Sequence, residues 1–130
     1  MLVLDASAIV ELLLGTPAGR IVDARLRAET DGVHAPEFLD LEVLHALRRL
    51  ERRGLLSAKA AAQAVVDLID LSIGRERHAP LLPRVWQLRD NATAYDASYL
   101  ALAEALQATL VTADRKMTGV PGVEVTVALV

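Results

Sequence analysis

A chain of 130 residues, 53% hydrophobic and 24% charged, is long enough to close one core and too apolar to be disordered. With no cysteine it has neither disulfides nor a thiolate metal site, which fits a cytoplasmic home, and no apolar run approaches the ~18–20 residues of a membrane span. The net charge of −3 argues against a general nucleic-acid binder, although a local basic patch counts for more than the total.

Met1–Leu4 reads as a buried central strand with an acid at its end. The opening has no basic lead and is cut off by Asp5, so no signal peptide is expected. Asp5 then starts a helix over Ala6–Leu14, which Gly15 and Pro17 stop, and the same Asp5 is suited to cap it. A second amphipathic helix follows over Ala18–Ala28, then a brief strand over Gly32–Ala35. Pro36 suits the first turn of a long helix reaching Arg53, with Leu39, Val43, Ala46, Leu47 and Leu50 as its buried stripe. Glu42 lies at the margin of that stripe. His45, Arg48, Arg49, Arg52 and Arg53 make its far end basic, either as a solvated face or as a phosphate-contact patch.

Gly54 ends this helix, and Ser57 caps another that runs to Ile73, with Ala62, Val65, Val66, Ile69 and Ile73 on its apolar side. Gly74–His78 reads as a short strand. Pro83–Asp90 reads as a short helix that places Trp86 in the core. The stretch from Asn91 to Met117 carries the strongest pattern. Thr93 opens a helix with Asp96 in its first turn, an apolar strand follows over Thr109–Thr112, and Asp114 stands just past its end. The first turn fits a capping box of Thr93 and Asp96. A last strand over Val123–Val127 belongs at a sheet edge. Alternating strands and helices predict one α/β domain over 1–130, layered about a mainly parallel sheet.

Asp5, Glu42, Asp96 and Asp114 are the candidate site. Asp5 and Asp114 follow strands and Asp96 begins a helix, so these three belong at the carboxyl edge of the sheet. Each acid also has an ordinary role as a cap or a surface group. Four carboxylates brought together repel one another unless some are protonated or a cation is bound. Hard oxygen donors, with no cysteine and no ligand spacing among His34, His45 and His78, point to Mg²⁺ or Mn²⁺ rather than zinc. Such an ion suits phosphodiester hydrolysis. Ser7 and Thr112 are placed to support it as hydroxyl partners.

Four segments carry a resemblance: LVLDASAIVELLL at 2–14, PEFLDLEVLHALRRL at 36–50, YDASYLALAEAL at 95–106 and LVTADRKM at 110–117. Together they resemble the PIN-domain family, most closely the VapC toxins of bacterial toxin–antitoxin pairs. The resemblance implies an α/β/α sandwich and metal-dependent endoribonuclease activity. It also implies a homodimer and inhibition by a cognate VapB-type antitoxin. By the same resemblance Asp5, Glu42, Asp96 and Asp114 are the catalytic, metal-holding acids, with Ser7 and Thr112 in support. Arg115, with Arg49 and Arg52 of the basic helix, is a candidate contact to RNA or antitoxin. Asp40 lies two residues before Glu42, about 200° round the helix, and is set aside for that reason.

Two rivals stand beside this reading. A PIN-like module kept only for binding would carry the same fold. A phosphoacceptor receiver domain is another acidic α/β fold, but it needs paired acids at its first strand, and here Asp5 is followed by Ala6.

Overall fold

In the computed structural model, which describes residues 1–130, five short strands form one parallel sheet. They are β1 (Leu2–Leu4), β2 (Val33–Pro36), β3 (Gly74–Glu76), β4 (Thr109–Thr112) and β5 (Val127–Leu129), in the spatial order β3-β2-β1-β4-β5. As MLVL predicts, β1 is central, and its Val3 and Leu4 are fully buried. Six α-helices connect the strands: α1 (Ala6–Leu13), α2 (Pro17–Ala28), α3 (Leu39–Arg52), α4 (Ala58–Asp70), α5 (Leu82–Gln87) and α6 (Ala94–Leu106). α1 packs on α2, α3 and α4, whereas α6 lies against β1, β2 and β4 with α5 beside it. Helices therefore cover both faces, as a parallel sheet requires. None is long and apolar enough to cross a membrane.

The order fixes where a site belongs. From β1 the chain steps outward through β2 to β3, then crosses back to β4 on the other side of β1. The direction reverses between β1 and β4, and ligands of open α/β sheets bind outside the carboxyl ends at such a point. Receiver domains use a different order, 2-1-3-4-5, so that rival falls on topology. The register pairs Leu2 with Thr109 and Leu4 with Val111, and the Asp5 N–H donates to the Val111 carbonyl (3.2 Å). Asp5 and Thr112 thus arrive side by side.

α6 is enclosed: every residue from Ala97 to Ala103 is buried. Its alanines allow close approach to the sheet, while Tyr99, Leu100 and Leu102 fill the space between. The Thr93 hydroxyl accepts the Asp96 N–H (3.2 Å) and caps the helix.

Four expectations need correction. Pro36 ends β2 instead of opening α3, which starts at Leu39. Glu37 N–H donates to Glu76 of β3, so the Pro36 nitrogen faces the β1 side, beyond the last β1–β2 pair at Val3 and His34, where no donor is needed. α4 ends at Asp70 and buries Ala61, Ala64 and Leu68, leaving Val66 and Ile69 exposed. Small residues take the inner face because α4 packs close to α3 and α1. Trp86 is 68% exposed, since Val85 and Leu88 already occupy the inner face of the short α5. The last strand is Val127–Leu129, at the sheet edge as expected but later in sequence. Residues 119–126 are instead tied down by Arg84, which pairs with Glu104 and donates to the Gly122 carbonyl.

One glycine sets the spacing of α1 and α2. A Cβ on Gly19 would lie 2.0 Å from the Glu11 carbonyl oxygen, in rigid backbone. Gly19→Ala is expected to push the helices apart and destabilise the fold by about 1–3 kcal/mol. Urea unfolding should show a lower midpoint at an unchanged slope.

Candidate active site

The site is built from the carboxyl ends of β1 and β4. Asp5 ends β1 and caps α1, its Oδ1 accepting the Ala8 N–H at 2.9 Å. The same oxygen accepts the Ser7 hydroxyl (2.7 Å), and Oδ2 accepts the Thr112 hydroxyl (2.6 Å). Thr112 also receives the Asp114 N–H at 2.9 Å, and Ser7 receives the Ala113 N–H at 2.9 Å. Two hydroxyls therefore knit the two strand ends together around one carboxylate. Asp5 is only 6% exposed. Burial raises its pKa above the ordinary carboxylate range, and the nearby Asp114 charge adds to the rise, against the lowering by its hydrogen bonds.

The helices supply the remaining acids. Glu42, in the first turn of α3, is half-buried, and its Oε2 accepts the Tyr99 hydroxyl (2.5 Å). Desolvation raises its pKa, and the charges of Asp96 and Asp5 act in the same direction against the Tyr99 bond. Burial and the Glu42 carboxylate together hold the Tyr99 phenol firmly protonated, as a donor. Asp96 stands one turn before Tyr99 on α6, half-buried. Of the expected capping box only the Thr93 half forms. Asp114 follows β4, and its Oδ1 caps the short turn Arg115–Met117 through the Lys116 N–H (2.9 Å).

Like-charge repulsion connects the sequence-predicted acids: Asp114 acts on Asp5, and Asp96 and Asp5 act on Glu42. No three Asp, Glu or His side chains stand together closely enough to hold a metal ion as they are placed. The donor set is nonetheless all hard oxygen, and its mutual repulsion around a buried Asp5 is what a divalent cation neutralises. In chemistry the residues fit such an ion.

Asp40 is engaged elsewhere. Arg75 grips both of its oxygens, at 3.0 and 3.3 Å, and donates to the carbonyls of Leu68, Leu71 and Ile73 behind α4. The histidines are dispersed: His34 meets Glu76 (2.8 Å), His78 lies against Phe38, and His45 lines a groove. That groove, about 750 Å³, runs between α1 and α3 from Ser7 and Glu42 to Arg49 and Arg53. Arg53 lines it, whereas the predicted Arg52 does not. Arg115 is exposed beside Asp114. Sequence reasoning did not single out Tyr99. The available signal was a tyrosine on a buried helix, three residues after Asp96, whose hydroxyl needs a partner.

Comparison with known proteins gives a consistent result. The sequence profile of the PIN domain matches residues 2–123. The chain is 45% identical over 117 residues to Ribonuclease VapC12 of Mycobacterium tuberculosis, covering 90% of this chain and 89% of that protein. It is 43% identical over 132 residues to Ribonuclease VapC1 of the same organism, covering 98% and 96%. Among solved structures, VapBC2 from Rickettsia felis, bound to a DNA fragment from their promoter, superposes with a TM-score of 0.70 at 16% identity. That match covers 98% of this chain and 97% of the other, and is a likeness of fold.

Raised carboxyl pKa values set a pH dependence. A folded pKa above the unfolded one means the native state binds more protons between the two values. The stability that Asp5 and Glu42 contribute is therefore present below the unfolded value and is lost as pH rises through the folded value. The metal-free protein is expected to melt higher when moved from neutral pH toward the mildly acidic range. Asp5→Asn should melt higher than wild type at neutral pH and show a shallower pH dependence, measured by calorimetry in chelator.

Proposed function

The chain belongs to the PIN-domain family, among its VapC ribonucleases, and from that premise we propose that it is a Mg²⁺- or Mn²⁺-dependent endoribonuclease. In this reading residues 1–130 form one PIN domain, the toxin of a toxin–antitoxin pair in the cytoplasm. The observation that carries it is the buried Asp5 carboxylate, held by three donors at the reversal point of the sheet and opposed by neighbouring acids.

Asp5, Glu42, Asp96 and Asp114 would hold the ion. When bound, Mg²⁺ or Mn²⁺ supplies positive charge for the phosphodiester oxygens and acidifies a bound water. The chain's own residues do the positioning. Ser7, Thr112 and the Ala8 N–H leave the Asp5 carboxylate no freedom to swing away. Tyr99 fixes Glu42 through Oε2, which leaves Oε1 available to the ion. Arg49 and Arg53 line the groove leading away from the acids and suit RNA phosphates. Arg115 suits either a phosphate or an antitoxin carboxylate. The VapC names of the relatives, beside the VapBC2 assembly of the Rickettsia felis neighbour, support a cognate VapB-type antitoxin as partner here. In this reading the toxin is a homodimer. Acids intact at all four positions argue against a binding module without catalysis.

Purified chain freed of antitoxin and mixed with pooled cellular RNA is expected to make discrete cuts with Mg²⁺ or Mn²⁺. The cuts should vanish in EDTA and with Asp96→Asn, whose fold survives. Cutting by Asp96→Asn at the wild-type rate would remove that residue from the site. Arg49→Ala should weaken RNA binding and reduce the slope of log affinity against log salt by about 1. An unchanged slope would assign Arg49 to solvent.

A further inference from the structure

The chain has very few aromatic residues, one Phe, two Tyr and one Trp, and three of the four gather beside the acids. Phe38, which caps α3, is the hub. Its ring meets Tyr99 edge-to-face at 5.6 Å and Tyr95 at 5.2 Å with an interplanar angle of 85°. Tyr99 is buried and committed to Glu42. Tyr95 is different: it is 57% exposed, its hydroxyl has no partner in the chain, and it lines the same groove as Ser7, Glu42 and Arg49. Its neighbour in sequence is Asp96.

A solvent-facing aromatic, packed edge-to-face on a second ring and placed next to the proposed phosphodiester site, has the form of a stacking platform for a nucleobase. The rest of the groove fits the same ligand. α3 begins beside Tyr95 and carries Arg49 and Arg53 away from the acids, the latter about 16 Å beyond Glu42 along the helix. Bases would stack at one end while phosphates follow the arginines. Trp86, also exposed, lacks this setting: the Arg89 guanidinium covers its ring at 4.9 Å and it does not line the groove.

We propose that Tyr95 stacks a nucleobase of the RNA beside the scissile phosphodiester. The inference rests on the ribonuclease reading and adds to it a positioning residue outside the four acids. Tyr95 binds and positions the RNA and exchanges no proton with it.

The test uses the wild-type chain and Tyr95 variants in EDTA, so that binding is read without cutting. The probes are a short unstructured RNA of mixed sequence and the same sugar–phosphate backbone without bases. Tyr95→Ala is expected to weaken binding of the RNA by roughly 5- to 150-fold and to leave binding of the abasic backbone unchanged. Tyr95→Phe and Tyr95→Trp should both retain affinity. Equal losses on both probes would make Tyr95 a structural prop and overturn the proposal. So would the absence of any loss, which would leave the ring free for a protein partner. If Tyr95→Ala fails to fold, Tyr95→Leu keeps the contact with Phe38 and carries the same comparison. Wild type that binds neither probe, and cuts no RNA with metal, would remove the ribonuclease reading itself. Wild type that binds and cuts while Tyr95→Ala matches it would remove only the stacking.

Discussion

A carboxylate taken out of water must be given hydrogen-bond donors, or it destabilises the fold that buries it. Asp5 is such a group. It receives one backbone N–H from the helix it caps and two hydroxyls, one from that helix and one from β4. The two hydroxyls also accept backbone N–H groups from Ala113 and Asp114, so strand pairing and carboxylate solvation are a single network. A one-residue slip between β1 and β4 would turn the Thr112 hydroxyl to the opposite face and strand the charge. The register of the central strands and the geometry of the site are therefore enforced by the same bonds.

The helices complete this arrangement from two sides. α6 is buried around most of its circumference, so Asp96 and Tyr99 ride on a rigid element. α3 presents Glu42 toward them and its arginines toward solvent, which gives the groove an acidic end and a basic end. Arg75 anchors the opposite flank of α3 by holding Asp40 against the end of α4. The two acids of α3 thus face different partners, Glu42 the Tyr99 hydroxyl and Asp40 the Arg75 guanidinium.

No single acid is a strong signal in the sequence, but the element boundaries that carry Asp5 and Asp96 were legible. Asp5 ends an apolar run before a helix, and Asp96 follows a capping threonine. Glu42 against Asp40 was decided by helical angle alone, and the Arg75 pair accounts for the residue left over. The misreadings share a cause. Ranking α4 by hydrophobicity favoured Val66 and Ile69, but the inner face was set by how closely helices approach, which selects Ala61 and Ala64. Trp86 was assigned to the core by size, although a six-residue helix has room for only one inward row. Pro36 was read as a helix start because proline suits a first turn, but its pairing with Glu76 of β3 makes it the last residue of a strand. The Tyr99–Glu42 bond joins residues 57 apart in sequence, and no local pattern encodes it.

The hydroxyl bond between Thr112 and Asp5 spans 107 positions of the chain. Synthesis proceeds from the N-terminus, so a growing chain exposes Asp5 and Glu42 long before the residues that complete the cluster exist. A prematurely terminated chain lacks β4, the strand against which β1 must align. Asp5 then misses one of its three donors, and the first strand of the chain reaches its final setting only when one of the last is made.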